Sequence, residues 1–209
     1  MRTVGFGPPA AALEERELVI TRIFDAPRES RSPNQLRSKG MGMTAVQKIT
    51  PCLWFDNQAE DAAKFYVSIF ENSAIGAITR YGKEGFEVHG RPEGSAMTVS
   101  FRLEDQEFTA LNGGPHFKFT EAISLVVKCE TEADVDRYWD KLTEGGDERA
   151  QQCGWLKDKF GVSWQIVPVA LFEMMSGADK EKSGRAMRAM LQMKKLDLPA
   201  LRRAYEGNS

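Results

Sequence analysis

CGWLKDKFGVSWQIVP, residues 153–168, decides how the chain is read. It holds two of the four tryptophans, a Phe160–Gly161 turn, and a single uncharged polar residue, Gln165, inside the strand-forming run Val162–Val167. GWLKDK and VSWQIVP, either side of that turn, predict a hairpin. Strand alternation places Ser163, Gln165 and Val167 on one face and Trp164 and Ile166 on the other, the second pair packing on a helix. A carboxamide among strand formers needs partners, because it can both donate and accept.

Working outward, the same element order occurs twice. AISLVVKC (122–129) reads as a strand, and Thr131 with Asp134 forms a capping signal for the helix EADVDRYWDKL (132–142), which Gly145–Gly146 ends. A short strand is expected near Arg149–Gln152, before the 153–168 hairpin. Upstream, KITPCLWF (48–55) is a strand and AEDAAKFYVSIF (59–70) a helix, with Asn57 as its expected cap and Ala62, Phe65, Tyr66 and Ile69 on one face. SAIGAITRY (73–81) follows, then a loop at 82–96 rich in glycine and charge. A hairpin of MTVSFRL (97–103) and EFTALNG (107–113) closes about Glu104–Asp105–Gln106. The helical aromatic pair Phe65–Tyr66 recurs as Tyr138–Trp139. The fold class is therefore α+β: two paired βαβββ modules, about 46–115 and 120–168, able to bury sheet faces against each other. A helical tail, 169–206, has Met187, Met190, Leu191 and Leu201 as apolar anchors and is expected to cover the core. Its basic residues read as a solvated face.

Composition bounds the partners. The 209 residues are 42% apolar and 28% charged with a formal net charge of −2, which gives no footprint for nucleic acid or an anionic membrane. Cys52, Cys129 and Cys153 are widely spaced and form no CxxC pair, which suits a reducing cytosol better than a disulfide framework or structural zinc. No apolar run reaches the roughly 18–20 residues of a membrane span, and the N-terminus lacks a secretory signal's apolar core. A cytoplasmic location is expected. Residues 1–43 read as an extension to the domain at 44–209, with one expected strand at Glu17–Phe24. Within it ELVITRIFDAPRES resembles the opening strand of START-like Hsp90-activator proteins, which fits a truncated fusion or a start at Met41 or Met43.

Few residues offer chemistry. The two histidines, His89 and His116, lie in Gly- or Pro-flanked loops and do not form a zinc or iron ligand set. Cys153 has no neighbouring base. G-x-S-x-G and HExxH are absent, and LNGGP puts two glycines after a strand with no helix to follow, so it reads as a turn and not a phosphate or adenosylmethionine cradle. Asp158, between Lys157 and Lys159, reads equally as a pocket group or a turn former.

ITPCLWFDNQAEDAAKFYVSIFENSAI, FTALNGGPHFKFTEAISLVV and CGWLKDKFGVSWQIVP resemble the PhnB-like branch of the vicinal oxygen chelate superfamily, which includes glyoxalase I, bleomycin-resistance proteins and extradiol dioxygenases. Members of this branch often carry the label 3-demethylubiquinone-9 3-methyltransferase. The resemblance covers about Val46 to Tyr205 and implies a cup-shaped cavity and a homodimer. In metal-using relatives one ligand lies on a module's opening strand and a glutamate on its last strand. Those positions fall here near Thr50–Pro51 and Ala110–Leu111, and near Ile123–Ser124 and on Gln165, none of them His or Glu. The resemblance thus implies no inherited metal and no cofactor. With a cup in place, Gln165, Asn112 and Asp158 become candidate polar ligand-binding residues, and Phe55, Phe101 and Trp155 candidate apolar walls. The expected function is binding of a small, partly apolar molecule, with no nucleic acid and no membrane. The alternative is a lyase, isomerase or oxygenase using Asp158, Lys157 or an oxygen-ligated metal, and no catalytic residue is assigned.

Overall fold

A computed structural model describes residues 47–208. The expected strand Glu17–Phe24, the remainder of the 1–43 extension and the alternative starts Met41 and Met43 lie outside these residues. The described chain forms two units. The larger comprises residues 50–80 and 96–208, and the smaller Tyr81–Ser95 with residues 47–49.

In the larger unit β1 (Cys52–Phe55), α1 (Ala59–Ile69), β2 (Ala74–Arg80), β3 (Ala96–Leu103) and β4 (Gln106–Asn112) form the first module. Its sheet order is β1-β4-β3-β2, with β1 and β4 parallel and the other pairs antiparallel. β5 (Leu125–Cys129), α3 (Glu132–Thr143), β6 (Trp155–Lys157) and β7 (Ser163–Pro168) form the second, with order β5-β7-β6 and β5 parallel to β7. The smaller unit holds one short helix, α2 (Phe86–His89), where Tyr81 packs against His89 at 4.4 Å between ring centroids.

The strand expected near Arg149–Gln152 is instead a 3₁₀ turn, Glu148–Ala150, and a single bridge from Gln152 to Trp155. At the β6 edge this segment makes only isolated bonds, such as Asp147 N–H to the Lys157 carbonyl (3.2 Å), and just before β6 the tail docks: Cys153 N–H and Gly154 N–H donate to the carbonyls of Met193 and Lys194, both at 2.8 Å. Gly154 has φ +85°, and a Cβ there would lie 2.9 Å from the Ile166 carbonyl, so glycine allows the approach.

One core joins both modules. The helix α1 buries Ala59, Ala62, Ala63, Tyr66 and Ile69, and α3 buries Val135, Tyr138, Trp139 and Leu142. Phe70 stacks on Tyr138 at 5.0 Å and on Trp164 at 5.6 Å. Trp164 and Ile166 enter this core, as alternation requires. The Thr131–Asp134 capping box forms as expected, whereas Asn57 does not cap α1. Gln58 is the N-cap and its side chain makes no capping bond, while Asn112 Oδ1, from the end of β4, accepts from Ala59 N–H at 2.8 Å.

The tail, α4 (Val169–Ser176), α5 (Lys180–Met190) and α6 (Leu198–Glu206), has its own core of Leu171, Met174, Ala186, Leu196, Leu198 and Leu201 around Val167. Leu201 anchors as expected and Met190 packs at its margin, but Met187 and Leu191 are exposed because α5 turns Ser183 and Ala186 inward.

At the junction of the modules lies Asp158, 3% exposed. Its Oδ1 accepts from Phe160 and Val162 N–H (2.8 and 3.0 Å), its Oδ2 from the Tyr66 hydroxyl and Trp164 Nε1–H (both 2.8 Å). Burial outweighs these four bonds and raises the carboxyl above its usual range, and burial together with the adjacent carboxylate pushes the Tyr66 phenol far up. A raised carboxyl contributes stability fully below the unfolded value, about pH 4, and loses it as pH rises through the folded value. Asp158→Asn should cost about 2–3 kcal/mol, since its amide would face a donor it cannot accept from, and should remove that slope. Urea melts of both proteins from acid to neutral pH test this. An equally stable variant would contradict it.

Candidate functional site

A cavity of about 270 Å³ opens in the larger unit at the carboxyl end of β1. From β1 come Trp54 and Phe55, with Asp56 and Gln58 just beyond. The linker after β4 adds Phe117, Lys118 and Phe119, and the β6–β7 hairpin adds Lys157, Phe160 and Gly161. Trp54 Nε1–H donates to the Gly114 carbonyl at 2.9 Å, and its indole meets Phe117 edge-on at 4.8 Å. Phe55 meets Phe119 at 5.2 Å and Phe160 at 6.3 Å, both edge-on. Phe160 is held in place by the Asp158 turn, where Gly161 adopts φ +87°. Lys157 pairs with the exposed Glu121 and holds that carboxyl below its usual value. Lys118 is exposed.

The structure brings few of the expected site residues together. Phe55 lines the cavity although it also belongs to the core. Phe101 is 1% exposed and faces the core, stacking on Phe108, because its alternation phase is that of Val99 and Leu103. Asn112 is buried, accepting from Ala59 and donating to the Ala96 carbonyl, and is occupied as a helix cap. Asp158 sits behind the cavity as the turn-forming carboxylate. Trp155 and Gln165 pair across β6 and β7 on the face away from the core, outside the cavity lining. Phe117, Phe119 and Phe160 were missed. The alternating aromatics of HFKF, beside the glycine pair, were the available signal for Phe117 and Phe119, and the Phe160–Gly161 turn that for Phe160.

The metal positions implied by the resemblance can be tested on geometry. Ser124 and Gln165 do meet across the parallel β5–β7 pair, where Gln165 Nε2 donates to Ser124 Oγ at 2.8 Å. A hydroxyl and a carboxamide already satisfying each other are a poor donor set for a divalent ion, so the residues do not fit one. Among the described residues no group of three His, Cys, Asp or Glu is placed to hold a metal. The Gly113–Gly114 turn offers no cofactor cradle either. A Cβ on Gly113 would lie 2.1 Å from the Trp54 ring, so the indole fills that space. Burial pushes the Cys129 thiol up to about 12, which keeps it protonated.

Two βαβ-type modules with parallel first and last strands define a glyoxalase-like α+β protein. The chain belongs to the family described as 3-demethylubiquinone-9 3-methyltransferase, whose model matches residues 47–167. The PhnB protein of Bacillus cereus, which carries the same methyltransferase name, is 38% identical. It aligns over 59% of this chain and 100% of its own, with a TM-score of 0.51. A Staphylococcus aureus protein is 30% identical over 58% of this chain and 95% of its own, TM-score 0.26. The fosfomycin resistance protein FosX of Listeria monocytogenes is 14% identical over 61% and 97%, TM-score 0.40. No curated protein matches the chain.

Gly113→Ala should therefore rotate Trp54 out of its slot. A loss of about 1–3 kcal/mol with a red shift of tryptophan emission is expected, and an unchanged spectrum and stability would show that the slot is not tight.

Proposed function

We propose that the protein binds a small, partly apolar molecule in the cavity at the end of β1, without metal chemistry, as a cytoplasmic homodimer. The observation that carries this reading is the convergence of Trp54, Phe55, Phe117, Phe119 and Phe160 on about 270 Å³, with four polar side chains beside them. Apolar walls with a few polar groups are the usual make-up of a small-molecule site. A dimer is supported by the edge strands β1 and β5 and by the exposure of Ile123 (78%) and Val126 (48%) beside the β5 edge. No helix among the described residues is long and apolar enough to cross a membrane.

The enzyme reading loses its main acid–base candidate, because all of Asp158's hydrogen-bonding capacity toward its surroundings is taken by four donors. Methyl transfer, the activity in the family name, has no cofactor cradle at the β4 turn to support it.

Saturation-transfer NMR with a panel of one- and two-ring aromatic probes tests the binding reading. Phe117 is 40% exposed, so Phe117→Ala should leave the fold intact while weakening the best probe about tenfold, the value of one lost aromatic contact. A panel with no binder, or a variant that binds as well as the parent, would refute the site. Protein purified without chelator should carry no stoichiometric divalent ion by plasma emission, and one ion per chain would overturn the metal-free assignment.

A further inference from the structure

We infer that the molecule held in this cavity is an aromatic anion of one or two rings, of carboxylate type, with its charge on Lys118 and Lys157. The inference rests on the binding reading above and narrows it. Size sets the first limit. A dry cavity of about 150 Å³ accepts benzene, so about 270 Å³ has room for one or two rings.

Shape sets the second. The Trp54–Phe117 and Phe55–Phe119 pairs are both edge-on, at 83° and 65°. Walls built this way offer both edges and faces to a flat guest, the geometry in which aromatic contacts add to simple area burial.

Charge decides the rest. The lining carries two ammonium groups and one carboxylate, Asp56. Asp56 has a further interaction within the protein, and the two lysines are the only cationic side chains of the lining. Lys157 is partnered by Glu121, a residue with 61% of its side chain exposed. Such a surface pair is worth little and exchanges readily for a ligand anion. Lys118 has no ion pair with any described residue. Lys159, next to the hairpin turn, holds its ammonium 3.9 Å from the Phe65 ring centre and adds to the local positive field. Aromatic walls alone would attract a cation, but two lysines in the same lining oppose one. A neutral guest would use the rings and leave the Lys118 ammonium without a counter-charge.

The test titrates the full chain with three probes of one shape: 2-naphthoate, 2-naphthalenemethanol and (2-naphthylmethyl)trimethylammonium. Naphthoate should bind at least tenfold tighter than the alcohol, and the ammonium weakest. Its affinity should fall as salt rises, while that of the alcohol should not. Lys118→Glu should weaken naphthoate five- to tenfold and leave the alcohol unchanged, and Lys157→Gln should do the same to a lesser degree. Circular dichroism of each variant checks the fold, and the unchanged alcohol titration checks the cavity. If the three probes bind alike, or the ammonium binds best, or Lys118→Glu leaves naphthoate unaffected, the anion assignment is wrong and the cavity reading stands. If none of the three binds, both fall.

Discussion

A carboxylate with almost no contact with solvent holds the larger unit together. Taking Asp158 out of water is costly, and an unpaired charge there would not survive burial. It is tolerated because four donors converge on it, two from its own turn and two from core aromatics. One of those aromatics, Tyr66, lies 92 residues away on the helix of the other module. The same two oxygens therefore close the β6–β7 turn, fix Trp164 in the core and tie the modules to each other. Phe160 and Gly161 reach the cavity only because that turn has this shape.

The missing fourth strand of the second module follows from a related constraint. A sheet edge with unpaired N–H and C=O groups must be covered or left to other chains. Here the β6 edge is met by the 3₁₀ segment itself, through Asp147 and Gln152, and the tail docks just before it, with carbonyls of Met193 and Lys194 accepting from Cys153 and Gly154. Leu196 sits against Gly154, within 3.0 Å of where its Cβ would be, so the docking depends on that glycine. The C-terminal helices thus act as part of the second module rather than as an appended bundle. Their own core grows from Val167, on the face of β7 opposite Trp164.

The features legible in the sequence were those set by near neighbours. The Thr131–Asp134 box, the hairpin turn about Glu104–Asp105–Gln106, of which Gln106 opens β4, and the alternation of Trp164 and Ile166 against Gln165 all follow from residues a few positions apart, and each is present. What was not legible depends on partners far along the chain. The capping of α1 by Asn112 spans 53 residues, and nothing near Asn57 signals that its role has been taken. Likewise 149–152 has strand-like neighbours but forms a 3₁₀ turn and a single bridge to Trp155. The site suffered most, since Phe101 and Asn112 have the right residue types and the wrong orientation. Beyond Trp54 and Phe55 of β1, the cavity aromatics come from a linker and a turn, where periodicity carries no information.

Gln165 shows how strand geometry and electrostatics can part company at one position. Its position at mid-strand, beside Ser124 on the opening strand, is where the resemblance implies a glutamate reaching for a metal. The geometry of that position survives, since the two side chains meet at 2.8 Å. Its electrostatics do not, because a neutral amide bonded to a hydroxyl asks for no cation. Positive charge lies instead with Lys118 and Lys157, at the cavity by the strand ends. With Ser124 and Gln165 satisfying each other, the positions where the resemblance implies a metal ask for no counter-charge, and the charged side chains of the larger unit's cavity stand at the strand ends, beside its aromatic rings.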